Sequence, residues 1–353
     1  MKSLISISFL LISTFVNAQQ DSIDRFLEKQ IKEQRIVGLS IGIIKNGKLM
    51  KAKGYGSANL EHNVPATENT VYKLASVSKQ MVATGIMKLV QEGKLKLTDK
   101  VTKFYKDAPA AWDKITIRHL LNHTAGLQRE SPAFQEMKVE SDFFLIRAAY
   151  KDTLVFATGT NWQYCNLGYF ILADIIRQIS GQSFSQYMKA IFYKYGLLNT
   201  LTTSLDVIVP SRASGYVQLG GDTILNAENN IALRPSGAFL STVTDMIKWE
   251  MLIQSNQILS NENWQQMWTD VVTSTRTRNF TNTDSSLVQY GYGWMVVTYQ
   301  KRKLVFHSGS LQGFRTGYYR FPDEKTAIII LTNSEPVNTL PLAQGVADIL
   351  FKK

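Results

Sequence analysis

The chain has 353 residues, 44% of them hydrophobic, with 22 glycines and 8 prolines, a composition that supports a sizeable core and excludes disordered and fibrous classes. Its formal charge of +11 is spread along the chain, with no Lys/Arg block interleaved with aromatics. Nucleic acid is therefore a poor partner, whereas anionic cell-envelope polymers and carboxylate-bearing substrates match the charge.

The chain opens MKSLISISFLLISTFVNAQQ, with a basic Lys2, an apolar run from Leu4 to Val16 and a small-residue cleavage signal at Val16-Asn17-Ala18. The apolar run is shorter than the roughly 20 residues of a membrane span. It predicts a signal peptide removed near Ala18 and an exported product, periplasmic or secreted. Cys165 is the sole cysteine, so no disulfide forms within the chain and stability has to come from the core.

From Asp21 to Gln34, Ile23, Phe26, Leu27 and Ile31 recur at helical spacing. Two β-rich runs then flank Asn46-Gly47, the strongest short hairpin signal. From Ser76 to Leu201 the character is mainly helical, interrupted by EGKLKL, NHTAGL, ATGTN and SGQS. A loop-rich passage leads to a helix over Thr242–Ile253, and Thr273–Ser286 reads as an exposed loop. The runs YGYGWMVVTY, KLVFHSGS, GFRTGYYRF and TAIIILTN are short strands between turns, and a last helix covers Val337–Leu350. Strands at both ends with helices between predict an α+β fold, in which one antiparallel sheet joins the two ends around an inserted helical lobe.

Three short strings could carry chemistry. In VYKLASVSKQM, Ser76 and Lys79 lie three residues apart at a helix start, so both side chains share a face and an unprotonated lysine could take the hydroxyl proton. The first turn would also aim the backbone N–H of Ser76 outward as half of an oxyanion hole. The bland alternative is a capping serine with a solvated lysine. In NWQYCNLGYF, Tyr164 could relay a proton for that lysine, and Asn166 could hold the lysine and a substrate carbonyl. The alternative is a buried tyrosine and a capping asparagine. In LVFHSGSLQGF, Gly309 would admit a ligand backbone closely and the N–H of Ser310 could supply the second oxyanion donor; His307 would otherwise be an ordinary strand-end histidine.

The order Ser-x-x-Lys, Tyr-x-Asn, His-x-Gly resembles the serine β-lactamase and penicillin-binding superfamily, in its class C β-lactamase, D,D-peptidase and esterase branch. ITIRHLLNHTAGL, PSGAFLSTVTDMIKW and YGYGW extend the resemblance over nearly the whole mature chain. It implies an α+β β-lactamase/D,D-peptidase-like domain over 19–353 after a signal peptide at 1–18. The sheet part would cover about 19–75 and 235–353, and the helical lobe about 76–234. It also implies acylation of Ser76 with Lys79 as base, Tyr164 as proton shuttle to the leaving group, and Asn166, His307 and Gly309 at the substrate. The N–H groups of Ser76 and Ser310 would form the oxyanion hole.

His307 stands where many β-lactamases carry the lysine of a Lys-Thr-Gly triad. A histidine is charged only part of the time near neutral pH, which disfavours efficient β-lactam hydrolysis. Two similar strings, Arg315-Thr316-Gly317 and Lys325-Thr326-Ala327, fall one strand later or lack the glycine. No Ser-Asp-Asn is present, so the class A arrangement does not apply.

The expected substrate is thus a small molecule or short peptide, namely a D-amino-acid peptide, an ester or, poorly, a β-lactam, with no cofactor and no metal. A non-catalytic envelope peptide-binding protein of the same fold is the alternative. His119 and His123 are spaced as zinc ligands on a helix would be, but Leu120 occupies the place of the catalytic glutamate, so packing and capping the helix end is their expected role.

Overall fold

The computed structural model describes residues 22–131, 142–202, 207–220, 223–227, 237, 239–273 and 288–352. The proposed leader and cleavage site lie outside these residues, as does 274–287, most of the loop expected over Thr273–Ser286.

A helix over 22–33 leads into β1 (Gly38–Lys45) and β2 (Lys48–Asn59). Asn46 and Gly47, with φ of 52° and 75°, make the turn between them, and two successive positive φ values are what a tight hairpin with the native twist requires. Short strands follow at β3 (Val64–Pro65) and β4 (Tyr72–Lys73). Helices Ser78–Gln91, Ile117–Leu121, Asp142–Ala148, Asn166–Ser180 and Phe184–Lys194 make up the next stretch.

The passage read as loop-rich carries β5 (Leu201–Thr202), β6 (Tyr216–Gln218), β7 (Ile224–Asn226) and β8 (Phe239–Ser241). These are two or three residues long, too short to leave a period-two signature in sequence. Helices Val243–Gln254 and Asn261–Thr269 precede β9 (Val272–Thr273), β10 (Gln289–Tyr290), β11 (Met295–Tyr299), β12 (Arg302–Leu311), β13 (Phe314–Phe321), β14 (Thr326–Thr332) and β15 (Ser334–Glu335). Helix Thr339–Phe351 follows. No helix among the described residues is long and apolar enough to cross a membrane.

Nine strands form one sheet in the order β3-β2-β1-β14-β13-β12-β11-β10-β9, every neighbouring pair antiparallel. The N-terminal hairpin thus joins the C-terminal strands through β1 and β14, where Ile41 faces Ile330. Two three-stranded sheets, β15-β6-β7 and β4-β8-β5, lie outside it.

β14 explains why TAIIILT has no polar alternation. Ile328 and Ile330 enter the core under the terminal helices, with Ile23, Leu27, Leu342 and Val346. Ile329 and Leu331 enter the core on the other face, with Val243, Met246 and Trp249. A strand covered on both faces must be apolar at every position, and each isoleucine so buried contributes roughly 1.5–3 kcal/mol.

Candidate active site

Ser76 lies in a 3-10 turn, Ala75–Val77, that leads into helix Ser78–Gln91. The helix's N-cap is Val77, which makes no side-chain capping bond, so Ser76 does not act as the cap. The turn is anchored from three sides. Leu74 N–H donates to Phe239 O (2.8 Å), Phe239 N–H donates to Ser78 Oγ (3.1 Å), and Thr316 Oγ1 donates to Leu74 O (2.7 Å). Ala75 has a φ of +49°, a conformation that a residue with a Cβ seldom adopts, immediately before the half-buried Ser76.

Gly309 explains how β12 reaches this turn. A Cβ on it would fall 2.3 Å from Leu74 O and 2.2 Å from Thr316 Oγ1. The close approach that this glycine permits is to the chain's own backbone beside Ser76, where the sequence suggested a ligand's. Gly293, in the YGYGW stretch, likewise lies against the first turn of the serine helix, where a Cβ would come within 2.8 Å of Gln80 N.

Lys79 is fully buried, which removes the alternative of a solvated lysine. Its Nζ is 3.2 Å from Ser76 Oγ and donates to Asn166 Oδ1 at 2.9 Å, across 87 positions of sequence. It also sits 4.7 Å from the ring centroid of Tyr164 and 5.5 Å from that of Tyr169. Burial pulls the ammonium's pKa well below the usual lysine range; Arg129 acts in the same direction and Glu130 against it. The physical cause is a cation removed from water with an amide, a hydroxyl and aromatic faces around it.

Asn166 begins helix Asn166–Ser180, whose cap is the residue before it: Cys165 Sγ accepts from Gly168 N–H at 3.4 Å. Asn166 is therefore free of the capping role and reaches Lys79 instead. Its Nδ2 donates to Glu130 Oε1 at 2.8 Å, which orients the amide so that its oxygen faces the lysine. Cys165 is packed between its two neighbours, with its thiol pushed up to about 12 by burial and its Sγ donating to Gln128 O at 3.1 Å.

Tyr164 is buried among rings, 4.6 Å from His123 and 6.1 Å from His307 between centroids. His307, on β12, is also buried and both its ring nitrogens are engaged internally: Nδ1 lies 2.7 Å from Ser308 O and Nε2 3.0 Å from Tyr290 OH. The Leu311–Phe314 pair closes the two-residue turn after β12, and bonded and non-bonded pairs alternate from there. Ser310 falls opposite Arg315 at a non-bonded position, so its N–H faces away from β13, on the side where β11 has ended at the Met295–Phe306 pair.

The two look-alike strings lie elsewhere. Thr316 and Gly317 pair with Gly309 and Ser308 from β13, and Arg315 is held by Glu335. Lys325 is in the turn before β14, where its carbonyl accepts from Gly47 N–H at 2.8 Å. The two histidines at zinc-like spacing take different places. His119 Nδ1 accepts from Thr116 N–H at 3.2 Å in a capping box, while His123 has a φ of +65° and lies among the aromatic rings. No group of three His, Cys, Asp or Glu side chains among the described residues could hold a metal ion.

Glu130, Arg129, His123 and Tyr169 join the site without having been singled out for it. NHTAGL served as a loop signal and as part of the family resemblance, with His123 expected only to pack at the helix end, and an exposed glutamate in a loop carries no pattern that would mark it as the partner of a distant amide.

The family profile described as Beta-lactamase matches residues 23–350. Curated relatives include Protein flp of Staphylococcus aureus (strain MW2), 28% identical over 90% of this chain and 64% of its own length. Penicillin-binding protein 4* of Bacillus subtilis (strain 168) is 27% identical over 82% of this chain and 68% of its own length. The chain thus spans a little under two thirds of the flp protein. Among solved structures, the octameric penicillin-binding protein homologue from Pyrococcus abyssi superposes with a TM-score of 0.83 at 27% identity, covering 94% of this chain and 77% of that one. D-amino acid amidase from Ochrobactrum anthropi SV3, complexed with D-phenylalanine, gives 0.81 at 20% identity over 94% and 98% of the two chains, which shows a shared fold. With a family match along almost its whole length, the chain belongs to the beta-lactamase family.

Proposed function

We propose that the protein is an exported serine hydrolase that works through an acyl-enzyme on Ser76. The observation that carries this reading is the fully buried Lys79 amine, 3.2 Å from Ser76 Oγ and 2.9 Å from Asn166 Oδ1. An amine held neutral by burial accepts the Ser76 proton while Asn166 takes one of its own N–H bonds. Ser76 Oγ then attacks the substrate carbonyl, and the charge that develops on the carbonyl oxygen is met by the N–H groups of Ser76 and Ser310. Tyr164, whose ring borders the lysine, passes the proton to the leaving group. Water repeats the sequence on the acyl-enzyme and frees Ser76.

The proposed substrates are D-amino-acid peptides or amides and esters, with β-lactams as poor ones. His307 spends both ring nitrogens inside the protein, so this position does not supply the fixed cation that would hold a β-lactam carboxylate. The amidase with the same fold acts in line with this class.

The test is intact-mass spectrometry of the mature protein mixed with a fluorophosphonate and, separately, with a penicillin, alongside Ser76→Ala. An adduct on the wild type alone supports the reading, and Ser76→Ala should lose at least about 10⁴-fold in kcat. A wild type that forms no adduct with either reagent would leave a binding protein of this fold as the better account. Export is tested in the same way, by whether the secreted mass begins at Gln19.

A further inference from the structure

We propose that His123 is a positioning residue that holds Tyr164 and Asn166 in register with Lys79, through the backbone N–H groups of Gln163 and Cys165, the residues on either side of Tyr164. The inference rests on the roles proposed above for those residues.

Two contacts come from one residue. The carbonyl of His123 accepts from Gln163 N–H at 3.1 Å, and its Nδ1 accepts from Cys165 N–H at 3.2 Å. Cys165 is extended, with φ −131° and ψ 118°, and in an extended segment the N–H groups of residues two apart point to the same side. His123 therefore bonds the chain just before and just after Tyr164. The neighbouring bond from Asn166 N–H to Arg129 O (2.9 Å) continues the seam. The imidazole face also meets the Tyr164 and Tyr290 rings, each at 4.6 Å between centroids.

Stability alone does not account for a histidine here. Because Nδ1 accepts, the ring proton is on Nε2, and that nitrogen is buried with no hydrogen-bond partner among the described residues. An apolar ring would fill the same space without an unpaired N–H. The residue also takes the left-handed conformation, with φ +65°. Burial, with Lys79, His307 and Arg129 nearby, keeps the ring neutral, so the acceptor at Nδ1 persists. An acceptor of fixed direction is what the Cys165 N–H requires.

The experiment compares two acyl donors with the same acyl group, a p-nitrophenyl ester whose leaving group departs unprotonated and an amide whose leaving group needs a proton. It uses wild type, Tyr164→Phe, His123→Leu and His123→Asn. Asparagine tolerates the left-handed backbone and offers Oδ1 near the position of Nδ1. His123→Leu is expected to lose about tenfold more in kcat on the amide than on the ester, in the direction of Tyr164→Phe and with KM little changed, and His123→Asn to recover most of it.

Equal losses on both donors, or His123→Asn no better than His123→Leu, would overturn the inference while leaving Ser76 chemistry intact. If Tyr164→Phe itself lacks the leaving-group selectivity, the assignment of Tyr164 fails and the inference falls with it. Should His123→Leu not fold, His123→Gln takes its place; its carbonyl oxygen lies one bond too far out, and the same selective loss is expected.

Discussion

Two of the buried basic side chains, Arg320 and Lys79, have surroundings that push them in opposite directions. Arg320 on β13 donates from Nε to Glu250 Oε2 at 2.5 Å, Tyr318 donates to the same carboxylate, and the Trp268 ring lies 4.7 Å from the guanidinium. Burial alone would lower its affinity for the proton, but the Glu250 charge together with the contacts to Glu250 and Tyr318 outweighs that and the guanidinium's pKa is raised. Lys79 is as deeply buried and has a hydroxyl, an amide and two tyrosine faces, so burial wins and its pKa falls. One site locks a charge in place between helix Val243–Gln254 and the sheet; the other keeps an amine ready to exchange a proton. Burial by itself therefore does not identify a reactive base. The decisive feature is how the countercharge is placed: Glu250 is bonded directly to Arg320, whereas Glu130 is bonded to the Asn166 amide that faces Lys79.

The largest effect should follow from removing the reactive cation. Lys79→Met is expected to lower kcat by about 10²–10⁴-fold, as for loss of a general base. Its second consequence is in stability. With a folded pKa below the unfolded 10.5, wild type binds fewer protons folded than unfolded across that window, so its stability rises with pH there and is lowest below the folded pKa. In the variant that slope should become shallower, with Lys45, Lys73 and Lys303, whose pKa values burial also lowers, keeping their share, which denaturant melts at several pH values would read; an unchanged slope would mean that Lys79 does not contribute to it.

Removing half of the locked pair should cost folding and spare chemistry. Glu250→Gln leaves a buried guanidinium uncompensated and is expected to destabilise by about 3–5 kcal/mol, while the fraction still folded acylates at the wild-type rate. The double change Glu250→Leu with Arg320→Met should recover much of that loss. Equal loss in single and double variants would contradict the account of the pair.

Asn166→Asp makes the reactive site resemble the locked one. A carboxylate in place of the amide oxygen would raise the Lys79 pKa and move the acid limb of the acylation rate to higher pH, with a loss of about 10- to 100-fold near neutrality that alkaline buffer recovers. A uniform loss at every pH would point to misplacement of the lysine instead of its protonation.

The smallest effect concerns the seam between β12 and the serine turn. Gly309→Ala places a methyl against Leu74 O and Thr316 Oγ1 and should cost about 1–3 kcal/mol, read as a lower melting temperature. An unchanged melting temperature would mean that β12 can draw back without loss.

Much of this was legible in the sequence, for reasons that are local. Asn46-Gly47 announced its hairpin because only such residues accept two positive φ values in succession. Ser76 and Lys79 were legible because three residues at a helix start bring two side chains to one face, and the order of the three strings suggested the family that the whole-chain match bears out. The antiparallel joining of the chain's two ends followed from strands at both termini with helices between.

What only the tertiary structure decided is non-local and electrostatic. It brought Asn166 to Lys79 from 87 positions away and Glu130 to the other end of that amide. It turned Gly309 toward the chain's own backbone and made His123 an acceptor for Cys165 N–H. Above all it set the state of the lysine. A sequence lists Lys79 and Arg320 as two positive charges, and what each does depends on how much water and how much countercharge the folded chain leaves around it.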